Sequence, residues 1–589
     1  MLTRPERLAA LRHALATAEV DGFLIPRSDE HLGEYVPPSG ERLAWLTGFT
    51  GSAGLAIVLK DRAAIFTDGR YTTQVAAETD GALWERRHLT EQPPEAWLRE
   101  HAADLTIGYD PWLHSEACLK RLSGFELVPL TPNPVDGIWE DRPAPPAAAV
   151  LPHGLDLAGE SAESKREAVA AALRKSGQQA ALLADAHSVA WLLNLRGADL
   201  AHTPMPLAFA LIRDDASVRM FLHAPDRVPE MTRAHLGNRV AIEPRANLPR
   251  ALSELAGKSV RVDADATPAW FAATLREAGA RLVPGEDPTR QPRAAKNPTE
   301  QQGARNAHRR DAVAVANFLA WFAEQAPGGG LTEMSAAKQL LDFRRMVAGF
   351  VAESFPAISG AGENGAIVHY RATEATNRPI RANECYLIDS GGQYPDGTTD
   401  ITRTLWTGPG PAPEGLRARY TAVLRGHIAL GTLRFPAGVA GPHLDSIARR
   451  PLWDAGLDYD HGTGHGVGSF LSVHEGPVAF SRAAKVVPIQ PGMILSNEPG
   501  YYLPGHYGIR IENLLLAREA KAQPDQAKPF LEFETLTLAP YCRALLDASL
   551  LTPAERDWVN AYQARVLAEI GPLLEAPVRA WMERECAPL

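Results

Sequence analysis

Two acidic β-hairpins constrain the fold of this chain more than any other feature of its sequence. The first is YLIDSGGQYPDGTTDITRTLW at residues 386–406, where Asp389 and Asp400 flank a turn built from QYPDG. Proline and glycine reverse the chain, and the flanks are alternating or β-branched. If the hairpin pairs about its middle, the two aspartates face each other. Two carboxylates that close repel unless a cation or a shared proton lies between them, so the sequence predicts a metal site.

A second hairpin repeats the arrangement at residues 492–515, GMILSNEPGYYLPGHYGIRIENLL. Its turn is predicted at Pro504-Gly505, and Glu498 and Glu512 are placed symmetrically about Gly505. Between the hairpins lies the glycine-rich stretch HGTGHGVGSFLSVHEGP, which contains three histidines and lets backbone and ligand approach closely. Four carboxylates and one neutral imidazole carry a charge of about −4, which two divalent ions would cancel.

These motifs carry a family resemblance. HYRATEATN, DSGGQYPDGTTDITRT, HGTGHGVGSFLSVHEGP and NEPGYY…GIRIEN resemble those of the long, three-domain Xaa-Pro aminopeptidases (aminopeptidase P), which are pita-bread metallopeptidases. TDGRY and VDGIW, further upstream, also fit that family. The resemblance implies an α/β (α+β) fold class, with two tandem creatinase-N-terminal-like α/β domains followed by a C-terminal pita-bread catalytic domain. It also implies five metal ligands: Asp389, Asp400, His465, Glu498 and Glu512.

The resemblance further implies how these ligands share two ions. Asp400 and Glu512 would bridge the ions, Asp389 would chelate one, and His465 and Glu498 would complete the other. A hydroxide bridging both ions would attack the peptide carbonyl. Charged oxygen ligands with one imidazole suit Mn²⁺, which is the first choice, while the general order of affinities favours Zn²⁺ or Co²⁺.

Five further roles are predicted around this ligand set. Glu498 would also carry the proton of the attacking water. His369 and His474 would donate to the substrate carbonyl and the tetrahedral intermediate, or carry a proton to the leaving nitrogen. His461 would line the proline pocket or contact a ligand from outside. Arg510 would hold a carboxylate ligand by a charge-assisted hydrogen bond.

The sequence predicts three domains. The first, 1–145, opens with helical spacing over residues 5–19, which places Leu8, Leu11 and Leu15 on one face. It ends in a proline-rich linker, and a similar pattern restarts in the second domain, 155–294. Trp45 and Trp191 occupy matching positions in AWL segments that precede strand pairs, so the two domains are interpreted as a repeat. The catalytic domain, 297–589, begins with a capped helix predicted to reach about residue 324, and includes a C-terminal extension from about residue 530. In that last part we expect a strand near residues 533–538 and a second helix capped by Thr552.

Composition limits the partners. A net charge of −10 without a dense basic run argues against nucleic-acid binding, and no long apolar run indicates a membrane span. The first twenty residues lack the apolar core of a signal peptide, and four scattered cysteines signal neither a zinc knot nor a disulfide framework. We therefore expect a cytoplasmic protein. The C-terminal extension is interpreted as a homodimer interface, as in the resembled family, or as a solvated cap.

The resulting functional hypothesis is a metal-dependent aminopeptidase that hydrolyses the first peptide bond of peptides with proline at the second position. An Xaa-Pro bond has no N–H, so a dedicated site must recognise the ring shape. The specificity itself follows from the resemblance. Prolidase, which cleaves Xaa-Pro dipeptides, is the main alternative, and methionine aminopeptidase is disfavoured by the long histidine motif. A metal-free pita-bread binding module is a third alternative, which the five retained ligands disfavour.

Overall fold

A computed structural model describes residues 2–589 and divides the chain into two compact units. The first unit runs to Gly154 and resumes at 160–290, while the second contains 155–159 and 291–589. Within residues 2–589, no helix is both long and apolar enough to cross a membrane. The three predicted domain boundaries stay a prediction.

The first unit contains two six-stranded sheets of the same topology. In each sheet, two inner strands pair antiparallel with one neighbour and parallel with the other, and a parallel strand lies at each edge. In spatial order, the first sheet contains Glu85–His88, Ala63–Thr67, Leu55–Leu59, Gly22–Pro26, Thr106–Tyr109 and Glu126–Pro129. The second contains Val240–Pro244, Val218–Leu222, Ala208–Arg213, Ala180–Leu183, Ser259–Val262 and Arg281–Pro284. The repeated strand order confirms the predicted tandem α/β domains.

Helices cover these sheets, and their apolar stripes account for their positions. The helix Arg4–Thr17 buries Leu8, Leu11 and Leu15, the face that the sequence predicted. A short ladder joins Leu151–Pro152 to Leu195–Arg196. The α-helices of this unit are Arg4–Thr17, Arg42–Thr47, Thr72–Glu78, Pro94–His101, Glu116–Arg121, Pro134–Ile138, Ala162–Lys175, Ala186–Leu192, Glu230–Leu236, Leu248–Ser253 and Ala269–Glu277.

The second unit opens with the capped helix that the sequence predicted. The Asn297 side chain accepts hydrogen bonds from the backbone N–H groups of Thr299 and Glu300, and the Glu300 carboxylate accepts one from the Asn297 backbone. The helix ends at Gln325, one residue beyond the predicted end. The α-helices of this unit, with the one that spans the unit boundary, are Leu155–Ala158, Arg290–Ala294, Pro298–Gln325, Glu333–Arg345, Glu414–Gly431, Gly441–Trp453, Pro553–Ile570 and Ala576–Glu585.

The strands of the second unit form small antiparallel sheets. They are Ala352–Glu353, Ile358–Ala361, Cys385–Ser390, Gly392–Tyr394, Gly397–Thr398, Ile401–Trp406, Arg434–Pro436, Gly464–His465, Ala479–Phe480, Ile494–Asn497, Gly500–Leu503, Tyr507–Arg510, Asn513–Glu519 and Phe530–Thr535. The last strand was predicted nearer residues 533–538, and this placement was wrong. Beyond Thr535 the Leu536 N–H still donates to the Leu514 carbonyl over 2.8 Å, and the Leu514 N–H donates to the side chain of Thr537, at Oγ1, over 2.8 Å.

The C-terminal extension belongs to the core of the second unit. Val559, Val566 and Ile570 on its first helix are fully buried, in the same apolar cluster as Tyr420 and Leu424 of the helix Glu414–Gly431. Burying such side chains contributes about 1.5–3 kcal/mol each. The extension is therefore an integral structural element of this unit.

Candidate metal centre

The first acidic hairpin forms, but its register places the two aspartates diagonally. Asp389 lies opposite Thr402, so Asp400 is two positions away from the residue that faces Asp389. Successive side chains alternate between faces, so a two-residue offset keeps both carboxylates on the same face. The prediction that they face each other directly was wrong, because the two-residue turn at 395–396 fixes the centre of the ladder.

The second hairpin has the predicted turn. Leu503 lies opposite Tyr507, and Gly505 between them has a φ of 74°, a backbone conformation that glycine adopts without strain. The same register continues into the next ladder, in which Asn497 lies opposite Asn513. Glu498 and Glu512, one residue inside that pair, therefore occupy matching positions on the two arms.

The side chain of Glu512 links the two hairpins. Thr402 Oγ1 donates to Glu512 Oε2 over 2.7 Å, and the Glu512 N–H donates to the Thr402 carbonyl over 3.1 Å. Both residues are fully buried or nearly so. These bonds fix the Glu512 carboxylate beside the first hairpin, which carries Asp389 and Asp400.

His465 completes the cluster with a ring held in one orientation. Its Nδ1 lies 2.9 Å from the Gly466 carbonyl, so Nδ1–H donates there and Nε2 keeps its lone pair. Nε2 lies 3.6 Å from Asp400 Oδ2 and 3.5 Å from Glu498 Oε1. One ligand atom each from Asp400, His465 and Glu512 lies within 4.8 Å of the other two. Neutral imidazole and carboxylate oxygens at this spacing can hold a divalent cation.

The buried acids are unfavourable without added positive charge. Burial, with the neighbouring carboxylates, raises the pKa of Asp400 and of Glu512 well above the usual range. Burial also raises the pKa of Glu498 to about 7. Within residues 2–589, Asp389 Oδ1 and Asp400 Oδ1 are buried and accept no hydrogen bond. Unpaired buried carboxylate oxygens are costly, and the donor set therefore fits divalent ions.

Arg510 brings one positive charge to this cluster. Its guanidinium donates to Asp389 Oδ2 over 2.7 Å, to Tyr502 Oη over 2.7 Å and to Thr402 Oγ1 over 3.2 Å. Arg510 is 1% exposed. Arg510 thus holds Oδ2 of Asp389. The other oxygen, Oδ1, accepts no hydrogen bond within residues 2–589.

Two of the three other predicted histidines touch this assembly. The His474 ring lies 4.3 Å from the His465 ring in an edge-on arrangement. His461 Nε2 lies 2.8 Å from Tyr502 Oη, the hydroxyl that also binds Arg510. His369 is partly exposed, and the buried hydroxyl of its neighbour Tyr370 donates over 2.8 Å to Oε2 of Glu333, which is not one of the five predicted ligands.

The sequence did not single out several residues that support this site. Tyr502 accepts a hydrogen bond from Arg510, and Thr402 donates one to Glu512. Ser496 Oγ donates to Glu498 over 3.2 Å. Tyr502 lies within the NEPGYY motif and Thr402 within DSGGQYPDGTTDITRT, and these motifs were the available signals.

A buried ion cluster supports the loop that carries His474. The next residue, Glu475, pairs with Lys296 and, at 3.4 Å, with Arg293 Nε. All three side chains are at most 4% exposed. Glu475 and Lys296 are 179 residues apart, so only the tertiary structure brings them together.

Four segments of the sequence match known protein families. Residues 7–137 and 141–300 match the Creatinase/Prolidase N-terminal domain, 302–519 match Metallopeptidase family M24, and 529–589 match the C-terminal region of peptidase M24. The chain is 38% identical to a "Probable Xaa-Pro aminopeptidase P" of Sordaria macrospora, with 99% of both chains covered. It is 39% identical to a protein of the same description from Fusarium vanettenii, over 99% of this chain and 98% of the relative.

Two solved structures are similar to this chain in fold. An X-prolyl aminopeptidase from Caenorhabditis elegans, described as a cytosolic enzyme with a di-nuclear active site, superposes with a TM-score of 0.94 at 33% identity, covering 100% of both chains. A prolidase from Thermococcus sibiricus gives a TM-score of 0.51 at 22% identity, covering 65% of this chain and 98% of that one. The second match is a likeness of fold alone.

Proposed function

The chain belongs to metallopeptidase family M24, among the Xaa-Pro aminopeptidases, and we propose that it removes the first residue from peptides whose second residue is proline. One observation carries this proposal: three buried carboxylates, the partly exposed Glu498 and one imidazole converge from two hairpins and the loop between them, within a chain that matches an Xaa-Pro aminopeptidase over its full length. The family implies the reaction, and the arrangement of donors supports it.

We propose that two divalent ions are held by Asp389, Asp400, His465, Glu498 and Glu512. Mn²⁺ is the first choice because four of the five ligands are charged oxygens, with Zn²⁺ and Co²⁺ as alternatives. When bound, such ions lower the pKa of water and polarise a carbonyl oxygen. The protein fixes the donors beforehand: Thr402 holds Glu512, Arg510 holds Asp389, and the Gly466 carbonyl holds His465.

The proposed proton carrier is Glu498. Its carboxylate lies 3.5 Å from His465 Nε2 and accepts a bond from Ser496, while its side chain keeps 17% of its surface exposed. A carboxylate that is held on one side and open on the other can take a proton from water and pass it on.

The three remaining histidines are proposed to contact substrate. His474, next to His465, and His369 would donate to the carbonyl oxygen and the tetrahedral intermediate, or protonate the leaving nitrogen. His461 would line the pocket for the proline ring. Its ring packs edge-on to Tyr502, with centroids 5.4 Å apart, which gives that wall an aromatic surface.

The experiment that tests this function is mass spectrometry of the products from Arg-Pro-Pro and Gly-Pro, with and without chelator. We expect release of arginine from the tripeptide, loss of this activity on chelation, and recovery with Mn²⁺. Cleavage of Gly-Pro alone would identify a prolidase instead. Cleavage of neither peptide by metal-loaded protein would favour a binding module.

The assembly and setting are also proposals. We propose a cytoplasmic homodimer that acts on peptides and binds neither nucleic acid nor membrane, in keeping with the net charge of −10 and with the description of the Caenorhabditis elegans relative as cytosolic. Light scattering after size-exclusion chromatography tests the dimer. A mass near the 63.7 kDa of one chain at micromolar concentration would contradict it.

A further inference from the structure

A fully buried arginine on the helix Gly441–Trp453 holds the loop that carries His461. The Arg449 guanidinium donates to the carbonyls of Tyr459 and His461, each over 2.6 Å. It also donates to Asp445 over 2.7 Å and to Asp458 over 2.9 Å. Its side chain is 2% exposed. The guanidinium thus fixes three residues of the loop 458–463 to the helix.

The surroundings of Arg449 leave it little freedom. Its guanidinium lies over the Tyr459 ring, 3.9 Å from the centroid. Its partner Asp445 is fully buried and also accepts a 2.6 Å bond from Thr463 Oγ1. The Thr463 hydroxyl lies 2.5 Å from Tyr459 Oη. Both ends of the loop are therefore attached to the same buried ion pair.

This loop contacts the candidate metal centre at two points. The first is the His461 ring, whose Nε2 lies 2.8 Å from Tyr502 Oη. Tyr502 Oη in turn accepts a hydrogen bond from Arg510 over 2.7 Å, and Arg510 donates to Asp389. The Thr463 carbonyl accepts the backbone N–H of Glu498 over 2.8 Å. Because Arg449 binds the carbonyl of His461 itself, a shift of residues 459–461 would displace the His461 ring from Tyr502.

We propose that Arg449 is a positioning residue for the peptidase reaction: it sets the backbone of 459–463 so that His461 meets Tyr502. The proposal rests on the proposed function. The planar guanidinium is required because it serves two carbonyls and two carboxylates in fixed directions, whereas a lysine ammonium is a point charge with three donors. Arg449 touches neither substrate nor metal and acts through His461.

The test compares Arg449→Lys with Thr463→Val, which removes one hydroxyl and keeps the side-chain shape. In the metal-loaded enzyme, we expect Arg449→Lys to lower kcat/KM for Arg-Pro-Pro by about 10- to 100-fold while two metal equivalents are retained. Thr463→Val should shift kcat/KM in the same direction by a smaller factor. The control is Arg450→Lys at the adjacent position, whose side chain is 80% exposed and which should keep wild-type kcat/KM.

A double-mutant cycle separates positioning from general stabilisation. In a His461→Ala background, Arg449→Lys should cause little further loss, because the residue through which it acts is gone. If the fold-losses in kcat/KM of the two single variants multiply in the double variant, the proposal is overturned. A wild-type kcat/KM in Arg449→Lys would also overturn it. If Arg449→Lys fails to fold, the cycle is run with Thr463→Val in place of Arg449→Lys, and the same two outcomes support or overturn the proposal.

A second readout does not depend on the reaction. Crystal structures of the two variants should show His461 Nε2 moved out of hydrogen-bond distance from Tyr502 Oη. An unmoved His461 in Arg449→Lys would refute the positioning role even if activity fell. If the wild-type enzyme cleaves no Xaa-Pro peptide, the proposed function fails while this structural readout still decides whether Arg449 sets the loop.

Discussion

Replacing Glu498 with glutamine should stabilise the metal-free protein at neutral and alkaline pH. Glu498 belongs to a cluster of four carboxylates, and its partial burial together with Asp389 raises its pKa from 4.5 to about 7. Glutamine has the same shape, and its carbonyl oxygen can still accept the bond from Ser496. Its amide can also donate towards His465 Nε2, which lies 3.5 Å from the carboxylate oxygen. The substitution removes a charge with little change in packing.

The magnitude follows from the pKa shift. A displacement from 4.5 to about 7 corresponds to about 3 kcal/mol of the free energy of unfolding, at about 1.4 kcal/mol per pH unit. Because the folded-state pKa lies above the unfolded one, the folded metal-free protein keeps a proton that the unfolded chain has released. Its stability therefore falls as pH rises from about 4.5 to about 7 and levels off above that. Glu498→Gln lacks this loss, and it also relieves repulsion on Glu512.

Urea denaturation of the chelated proteins at pH 5 and pH 8 tests this expectation. The relevant transition is the one that added Mn²⁺ shifts in the wild type, because the two units of the chain need not unfold together. At pH 8 this transition should occur with a free energy of unfolding about 3 kcal/mol higher in Glu498→Gln. The gain should be much smaller at pH 5.

The matched control is Glu519→Gln, at an exposed position on a strand of the same unit, which should change stability by less than about 0.5 kcal/mol. A metal-free Glu498→Gln that is less stable than wild type at pH 8 would refute the reasoning. So would a gain that is equal at both pH values, since the effect is assigned to ionisation of one carboxyl group.

Three further outcomes are expected. With metal bound, Glu498→Gln should lower kcat for Arg-Pro-Pro by about 10²–10⁴-fold, measured by product release, and full activity would exclude Glu498 as the proton carrier. Arg510→Met should weaken metal binding by about 10- to 100-fold in a titration followed by calorimetry, because Asp389 loses its 2.7 Å donor; unchanged affinity would contradict the orienting role. Glu475→Gln should lower the free energy of unfolding by about 3–5 kcal/mol in denaturation experiments, because Lys296 is left buried without its counter-charge, and an unchanged value would show that the cluster is not stabilising.

Much of the local structure follows from short-range sequence signals. The capping residues Asn297 and Thr552 start helices where the sequence predicted them, because the side chain that accepts the first N–H groups is a near neighbour in the chain. The turn at Gly505 also needs only local chemistry, a residue that tolerates positive φ. The same signals placed the helix Arg4–Thr17 through its leucine spacing.

The identity of the charged donors is also a property of the sequence. Two hairpins with two acids each, separated by a histidine motif, indicate a cation site because like charges cannot be brought together without compensation. Even so, the pairing register of the first hairpin was misjudged by two residues. The prediction centred the hairpin midway between the two acids, whereas the ladder is centred on the turn at 395–396.

The sequence predicted that Arg510 holds a carboxylate ligand, and the tertiary structure decided that this ligand is Asp389 and that Thr402 holds Glu512. Arg510 and Asp389 are 121 residues apart, and Thr402 and Glu512 are 110 apart. Such partners meet only because the two hairpins pack against each other, and no local pattern specifies which acid will lie beside Arg510 or which threonine will lie beside Glu512. Sequence thus determined which chemical groups the site contains, and long-range packing determined their orientation, because a hydrogen bond depends on angstrom distances that chain spacing does not fix.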